Sequence, residues 1–310
     1  MRSIYFTGAK IDHLDEKRLN KPTQTNRWVW ISLVVIFGLF FLSRIPSLVS
    51  SGEGLVSGEK VGIVKLEGPI FDVEDLLKDM DLFAERSDVK AIVLRVNSPG
   101  GAVAPSQEVY EKVKSISLEK PVVTSVGSLA ASGGFYAAVG SNKIVANRGS
   151  ILGSIGVIVE YPVAVELLKK IGLRFETVTS GTAKDIGSPT REVTEQDREA
   201  LESVVNNLHN QFIDAVSSGR SLDRDFVLSL ADGRVFTGEQ SYELGLVDTL
   251  GTLDDAVSLA GHLASLEEIP ERIYPEKKRY RLLDYFFNEL EERAYGFIQT
   301  LPLFIWKLEN

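Results

Sequence analysis

The chain contains no cysteine among its 310 residues and only three histidines, His13, His209 and His262. The absence of cysteine excludes disulfides, thiolate metal ligands and cysteine nucleophiles. The histidines have none of the spacings of a metal site such as H-E-x-x-H, so a histidine metal centre is not predicted. We therefore expect no metal and no other cofactor, and we expect any catalytic base to be a residue other than histidine.

Basic residues are in the minority as well. Thirty-four lysines and arginines stand against 43 acidic residues, which gives a formal net charge of −9. No basic stripe interleaved with aromatic residues is present, so nucleic acid is not expected as a partner. The hydrophobic content of 44% and the charged content of 25% are ordinary for a globular protein. The length predicts one sizeable domain with appended segments, or two domains.

One long run without charge lies near the N-terminus, WVWISLVVIFGLFFLS between Arg27 and Arg44. It is shorter than the roughly 20 residues of a comfortable membrane span. The flanking arginines can reach toward the interface, and the two tryptophans suit that depth, so the length still suffices. Six basic residues precede the run, whereas Arg44 is the only basic residue after it before Lys60. This bias predicts a cytoplasmic N-terminus and an exported remainder.

We therefore predict a cytoplasmic tail over 1–27, a transmembrane anchor over 28–46 and a flexible linker over 47–58. The remainder is expected on the outer face of the cell membrane, periplasmic or extracellular. A cleaved signal peptide is the alternative, because serines follow the apolar run. The long leading segment with three acidic residues is unlike a compact positive n-region and favours a retained anchor.

From residue 59 onward, strand-like and helix-like patterns alternate. The strand-like runs are KVGIVKLEG (60–68), AIVLRVN (91–97) and PVVTSV (121–126), and the longest helical patterns are DVEDLLKDMDLFAER (72–86), QEVYEKVKSI (107–116) and residues 195–217. Strands separated by helix-length segments indicate crossover connections and a largely parallel sheet. We predict one α/β domain over 59–265.

Two segments of small residues carry candidate chemistry. In NSPGG (97–101), proline and two glycines can turn the backbone sharply and direct amide N–H groups into a cleft, although a plain turn is the alternative. In AASGG (130–134), Ser132 lies between small residues in a strand-to-helix arrangement like a nucleophile elbow, except that Ala130 replaces the first glycine. Close packing of a helix on a strand explains the same residues, so both interpretations stay open.

A serine nucleophile needs a base, and lysine is the remaining candidate. A lysine acts as a base where its surroundings lower its pKa from about 10.4 toward neutrality. Lys184 lies in SGTAKDIGSP (180–189), a loop rich in serine and glycine rather than a charged helix face. The alternative is an ordinary solvated lysine beside the carboxylate of Asp185.

Taken in order, NSPGG, AASGGFYAA, SGTAKDIGSP and ADGRVFTGEQSYELGLVDTLGTLDDAV (231–257) resemble the bacterial signal peptide peptidase A family in its short form. The resemblance covers about residues 60–260. It implies a membrane-anchored Ser/Lys protease with the Clp-protease/crotonase-like fold and a single N-terminal transmembrane helix. It also implies that the substrates are hydrophobic remnants of signal peptides. Family members form ring-shaped homo-oligomers in which neighbouring protomers complete each active site, and a dyad within one chain is the alternative.

The resemblance implies a role for each matching residue. Ser132 would be the nucleophile and Lys184 the general base of an acyl-enzyme mechanism. Gly133 and the pair Gly100 and Gly101 would supply oxyanion donors.

The serine of GSIGV, Ser154, matches a family serine that holds the lysine amine in place, although Ser150 is nearby.

Residues 266–310 differ in character from the domain before them. A basic start, KKRYR, leads into apolar residues at helical spacing, so we predict an amphipathic C-terminal extension. Core packing or ring assembly is one interpretation of that extension, and lying on the membrane surface is the other. A second span is not expected, because the apolar run falls below about 18 residues.

Three other functions compete with the signal peptide peptidase. A crotonase-type acyl-CoA enzyme would share the fold, but it needs neither Ser132 nor Lys184 nor an anchor that exports the domain. A related Ser/Lys membrane protease would cut a membrane-protein partner instead of signal peptides. A non-catalytic membrane scaffold of the same fold is the alternative from a different class.

Overall fold

The computed structural model describes residues 59–268 and 270–276. The predicted tail (1–27), anchor (28–46) and linker (47–58) lie outside the described residues, as do residues 277–310 of the predicted extension. Among the residues described, no helix has both the length and the apolar character that crossing a bilayer requires.

Strands and helices alternate through the domain, as the sequence patterns predict. The strands are β1 (Lys60–Glu67), β2 (Val89–Ser98), β3 (Val122–Ala131), β4 (Lys143–Ala146), β5 (Ile151–Gly153), β6 (Val235–Thr237), β7 (Thr249–Leu250) and β8 (Glu271–Ile273). The helices are α1 (Glu74–Glu85), α2 (Val103–Ser117), α3 (Gly133–Ala138), α4 (Val165–Lys170), α5 (Glu195–Arg220), α6 (Arg224–Leu230), α7 (Gly238–Glu243) and α8 (Leu253–Leu263).

These strands form one sheet with the order β6-β5-β3-β2-β1-β8, in which β4 also pairs with β3 and β7 pairs with β4. Among the described strands, every pairing is parallel except that of β5 with β6. The interior strands β2 and β3 are mostly buried, as parallel strands covered on both faces are. The predicted α/β class is confirmed.

Helices cover both faces of the sheet. The larger core contains Met80 and Phe83 of α1, Val113 of α2 and Phe135 of α3. On the opposite face, the small residues Ala256, Val257 and Ala260 of α8 pack against valines, isoleucine and alanine of β1 to β4. Each face therefore contributes a separate apolar cluster, and burial of these clusters supplies the main driving force for folding.

The parallel register brings the ends of three strands to one edge of the sheet. Ser98 at the end of β2 is paired with Ala130 of β3, and Ala131 is paired with Gly153 at the end of β5. The segments that follow these strands therefore meet at the carboxyl edge, where open parallel sheets bind their ligands. NSPGG, AASGG and GSIGV all lie there.

Strand β8 lies within the segment predicted as the C-terminal extension. It pairs in parallel with the first residues of β1, Lys60–Gly62. The sheet therefore continues beyond the predicted domain limit at residue 265. Three residues carry too little periodicity to identify such a strand from the sequence.

Candidate active site

Ser132 is the single residue between the end of β3 and the start of α3. Its φ of 50° and ψ of −122° lie in a region that residues with a side chain rarely adopt. The Ser132 N–H donates to the carbonyl of Gly153 (2.9 Å), and the Ser132 carbonyl accepts from the N–H of Tyr136 (2.9 Å). These bonds hold Ser132 on a sharp strand-to-helix turn, the backbone geometry of a nucleophile elbow.

The small residues around Ser132 are required by close packing. A Cβ on Gly133 would lie 2.2 Å from the Ser106 hydroxyl oxygen, and one on Gly134 would lie 2.8 Å from the carbonyl oxygen of Ser98. A Cβ on Gly100 would lie 2.6 Å from the Gly133 nitrogen and 2.8 Å from the Ser132 Cβ. The two interpretations that the sequence left open are therefore compatible, since the same close packing produces the turn that carries Ser132, which is half-buried.

Gly133 supplies one amide beside Ser132. It is the first residue of α3, and the first N–H groups of a helix have no partner within the helix. Gly133 also lines the cavity next to Ser132. Its N–H is thus in position to donate to an oxyanion formed on a substrate bound there.

Gly101 is better placed than Gly100 to supply a second amide. The Gly100 N–H already donates to the Ser98 hydroxyl (3.1 Å). Gly101 forms a parallel bridge with Ile70. The backbone groups of Ile70 bond to the residues before and after Gly101, so the N–H of Gly101 itself faces away from Ile70. Gly101 also lines the cavity beside Ser132, which makes it the second candidate oxyanion donor.

Ser154 lies next to Ser132 at the same edge. The pairing of Ala131 with Gly153 makes Ser132 and Ser154 the following residues of two adjacent strands, and each has a φ of 50°. Ser150, the alternative, is buried and its hydroxyl donates to the carbonyl of Gly127 (2.6 Å). Ser150 is thus bound to the β3 backbone, and Ser154 is the serine near the candidate nucleophile.

Lys184 lies elsewhere in the single chain. It is exposed and lies in a turn between α4 and α5. The N–H of Lys184 donates to the carbonyl of Gly181 (3.2 Å). It is not among the residues that line the cavity beside Ser132. One protomer therefore assembles the serine and the candidate oxyanion donors at one edge, while its Lys184 faces solvent.

A charged cluster fixes the turn that carries Lys184. Arg191 donates two hydrogen bonds to the neighbouring carboxylate Asp185 (2.7 and 2.8 Å) and also binds Asp197 at the start of α5. Arg191 holds the pKa of Asp185 and of Asp197 below their ordinary range, and the Thr194 amide lowers that of Asp197 further. Arg191 thus balances the charge next to Lys184 and attaches the turn to α5. Sequence reasoning missed this arginine.

An apolar cavity adjoins Ser132. Its walls include Val103, Tyr136, Leu208 and Phe212, and the Tyr136 and Phe212 rings pack with centroids 4.7 Å apart. Burial raises the pKa of the Tyr136 phenol, so the ring is uncharged at neutral pH. These side chains present an apolar surface beside Ser132. Sequence reasoning missed the residues of α5, because about 75 residues separate them from Ser132.

The segment from residue 157 to residue 194 is largely exposed although it carries many apolar side chains. The described part of this segment has one helix, α4, with no buried residue. The exposed apolar side chains include Ile158, Leu167, Ile171, Phe175 and Val178. In a single chain this segment therefore leaves several large apolar side chains in contact with water.

Two family models match the chain. The model described as "Peptidase family S49" matches residues 114–267, and the model described as "Clp protease" matches residues 61–152. Together they cover the carboxyl edge with Ser132, Ser154 and the turn of Lys184.

Curated relatives extend the similarity over most of the chain. "Putative protease slr0021" of Synechocystis sp. is 43% identical over 189 residues, which are 61% of this chain and 68% of that protein. "Putative protease MJ0651" of Methanocaldococcus jannaschii is 34% identical over 277 residues, 83% of this chain and 89% of that protein. "Putative signal peptide peptidase SppA" of Enterococcus faecium is 36% identical over 188 residues, 60% of this chain and 55% of that protein.

Proposed function

Since this chain belongs to peptidase family S49, the signal peptide peptidase A family, and is a serine protease of Clp-protease-like fold, we propose that Ser132 is its nucleophile and Lys184 its general base. The observation that carries the proposal is the backbone of Ser132. Its left-handed conformation is maintained by glycines that no larger residue can replace without a clash. Strain of this kind is found at functional sites, where surrounding structure maintains it.

The proposed reaction uses only groups of the protein and water. The neutral lysine amine takes the hydroxyl proton of Ser132, and the resulting alkoxide attacks the peptide carbonyl. The amides of Gly133 and Gly101 donate to the oxyanion of the tetrahedral intermediate. The lysine ammonium then gives its proton to the leaving amine, and water, activated by the same lysine, hydrolyses the acyl-enzyme. Ser154 holds the amine of Lys184 during these transfers.

The lysine of each site comes from a neighbouring protomer in this proposal. Lys184 is exposed and is not among the residues lining the Ser132 cavity of its own chain. In the sequence, Lys184 follows residues 158–178, several of whose apolar side chains are exposed. Contact of these side chains with water is unfavourable in free energy. Packing of this segment on the next copy in a ring-shaped homo-oligomer would bury those side chains and carry Lys184 toward the neighbour's Ser132.

The substrates that fit this site are hydrophobic peptides, and we propose remnants of signal peptides. Apolar side chains lie beside Ser132, where they would contact an apolar peptide, and one relative is named a signal peptide peptidase. The predicted anchor at 28–46 would hold enzyme and substrate at the outer face of one membrane. Confinement to a surface raises the effective concentration of both.

The test compares three variants of the full-length chain in detergent on an apolar fluorogenic peptide. Ser132→Ala and Lys184→Ala are each expected to reduce kcat by about a thousandfold or more. Lys78→Ala, which removes an exposed lysine from α1, is the matched control and should leave kcat unchanged. All variants should keep the oligomer size of the original protein. An unchanged kcat in either dyad variant contradicts the Ser132/Lys184 dyad. If the original protein cleaves the peptide no faster than the peptide is hydrolysed without it, the chain is a non-catalytic scaffold.

A further inference from the structure

The hydroxyl of Ser98 is buried and acts as donor and acceptor at once. Ser98 is the last residue of β2, and it has no exposed surface. Its hydroxyl donates to the carbonyl of Gly68 (2.6 Å) and accepts from the N–H of Gly100 (3.1 Å). A serine hydroxyl has one proton to donate and two lone pairs that accept, so both bonds form together. This side chain therefore joins the end of β1 to the Pro-Gly-Gly turn.

Backbone hydrogen bonds connect the same two segments further along. The N–H of Ile70 donates to the carbonyl of Gly100 (2.9 Å), and the carbonyl of Ile70 accepts from the N–H of Ala102 (2.8 Å). Gly101 lies between these two bonds in its bridge with Ile70. The Ser98 hydroxyl thus holds the beginning of a segment that has the candidate oxyanion donor Gly101 near its end.

Gly100 is the joint on which the direction of the Gly101 amide depends. Its φ is 94°, and a glycine changes φ and ψ at little energetic cost. The Gly100 carbonyl and the Gly101 N–H belong to one planar peptide group, so the orientation of that plane sets the direction of the N–H. Ser98 holds the N–H side of Gly100, and Ile70 holds its carbonyl side. Loss of the Ser98 bond would leave this joint held on one side.

Ser98 also lies against the helix that carries the other candidate donor. A Cβ on Gly134 would lie 3.2 Å from the Ser98 Cβ, and a Cβ on Gly100 would lie 2.6 Å from the Gly133 nitrogen. The Pro-Gly-Gly turn and the start of α3 are therefore in close contact. A shift of the turn changes the separation of the two candidate oxyanion donors, Gly133 and Gly101.

We propose that Ser98 is a positioning residue for the oxyanion donors, which holds Gly100 so that the Gly101 amide faces the carbonyl that Ser132 attacks. This role rests on the proposed function of Ser132. Ser98 acts through Gly100 and does not touch the substrate. An oxyanion forms only on the way to the tetrahedral intermediate, so a misplaced donor lowers kcat and leaves binding of the uncleaved peptide nearly unchanged.

The first test measures cleavage of the apolar fluorogenic peptide by variants of the full-length chain. Ser98→Ala should lower kcat about tenfold or more and change KM less than about twofold. Ser141→Ala is the matched control and should leave kcat unchanged. Ser141 is also buried and its hydroxyl donates to two carbonyls, those of Ala138 (2.7 Å) and Lys143 (3.1 Å), but it does not line the cavity beside Ser132.

Three results would overturn the positioning role: an unchanged kcat in Ser98→Ala, an equal fall in Ser141→Ala, or a change confined to KM. Ser98→Cys keeps a weaker donor and acceptor at the same place, so its kcat should lie between those of the original protein and Ser98→Ala. If the alanine variant does not fold, the cysteine variant decides by itself. A kcat equal to that of the original protein then contradicts the proposal.

Amide hydrogen exchange tests the turn without reference to cleavage. In mass spectrometry of the full-length protein, Ser98→Ala should raise the exchange rate of residues 100–102 severalfold, whereas Ser141→Ala should not. An unchanged rate in Ser98→Ala contradicts the proposal even where kcat falls. If the original protein cleaves no peptide, the Ser132/Lys184 dyad fails separately, and the exchange rate still decides whether Ser98 holds the turn.

Discussion

Asp248 is a partly buried carboxylate that joins the end of α5 to the start of β4. It accepts hydrogen bonds from the Ile144 N–H (2.8 Å), the Lys143 ammonium (2.9 Å) and the Arg220 guanidinium (2.5 Å). Burial raises the pKa of Asp248, but the charge of Arg220 and the bonds from Ile144 and Lys143 lower it, and its net pKa lies below the ordinary value. This residue thereby fixes α5, the helix that supplies Leu208 to the cavity beside Ser132.

Replacement of this carboxylate should destabilise the fold in a way that depends on pH. Asp248→Asn leaves Arg220 buried without its counter-charge, and we expect a loss of about 2–4 kcal/mol at pH 7 in urea unfolding of the full-length chain. A carboxyl whose pKa is lowered by folding contributes stability above its unfolded pKa and loses it as the pH falls through the folded pKa. The difference between the original protein and the variant should therefore shrink below about pH 4.

An exposed pair provides the control for Asp248. Asp214 pairs with Arg224 at 2.7 Å, and both side chains are well exposed. Asp214→Asn should cost less than about 1 kcal/mol. An equal loss in the two variants, or a loss in Asp248→Asn that persists unchanged at pH 3, would contradict the role assigned to Asp248.

At the level of elements, the sequence predicts those whose pattern is local. Runs of β-branched residues identify β1, β2 and the first part of β3, and the period of 3.6 identifies α1, α2 and α5. The short strands β4 to β8 have two to four residues each and are defined by their partners rather than by their own pattern. Sheet order and register are long-range properties, so the approach of Ser154 to Ser132 could not be derived from periodicity.

The candidate site shows the same division. The small residues indicate a turn at Pro-Gly-Gly and a strand-to-helix junction at Ser132, because they determine the backbone locally, but they leave a plain turn and close packing as alternatives. The bond from Gly100 to the Ser98 hydroxyl, which favours Gly101 as donor, depends on where β2 ends against β3. The packing of α5 over α3 joins residues far apart in sequence, so Phe212 was not predicted as part of the site.

The junction of β3 with α3 is predicted to tolerate no added methyl group. Gly133→Ala places a Cβ 2.2 Å from the hydroxyl oxygen and 3.0 Å from the Cβ of Ser106, so the Ser106 side chain must turn away or α3 must shift and displace Ser132. We expect a loss of about 1–3 kcal/mol in urea unfolding, as overpacking of a well-packed core produces. Peptide cleavage should fall at least about tenfold, because small displacements of reacting groups are costly.

Two further variants separate the clash from a general effect of alanine. Gly149→Ala adds the same methyl group where no atom lies within 4 Å, and should change neither stability nor cleavage. Ser106→Ala combined with Gly133→Ala removes the nearest clashing atom, the hydroxyl oxygen, without placing a glycine in α2, and should recover part of the lost stability. A harmless Gly133→Ala, or a double variant less stable than Gly133→Ala alone, would show that this contact does not determine the junction.

For the whole molecule, we propose that one chain does not complete its own site. The carboxyl edge of the sheet unites Ser132, Ser154 and the two candidate amides. The base proposed for them lies on an exposed turn that Arg191 attaches to α5. In the proposed assembly, burial of the apolar side chains before this turn on a second copy would provide the driving force. A heterologous contact of this kind would form a ring where its rotation closes.

This arrangement predicts that two inactive variants restore each other. Ser132→Ala supplies an intact Lys184 and Lys184→Ala supplies an intact Ser132, so a mixed ring contains some sites with both groups. With equal amounts of the two chains, co-expressed with different tags and purified through both, random mixing gives about a quarter of the original sites per ring. Peptide cleavage should therefore recover to about that fraction, while each variant alone stays inactive. If serine and lysine act within one chain, the mixed oligomer remains as inactive as its parents, and the exposed turn must then move to its own Ser132.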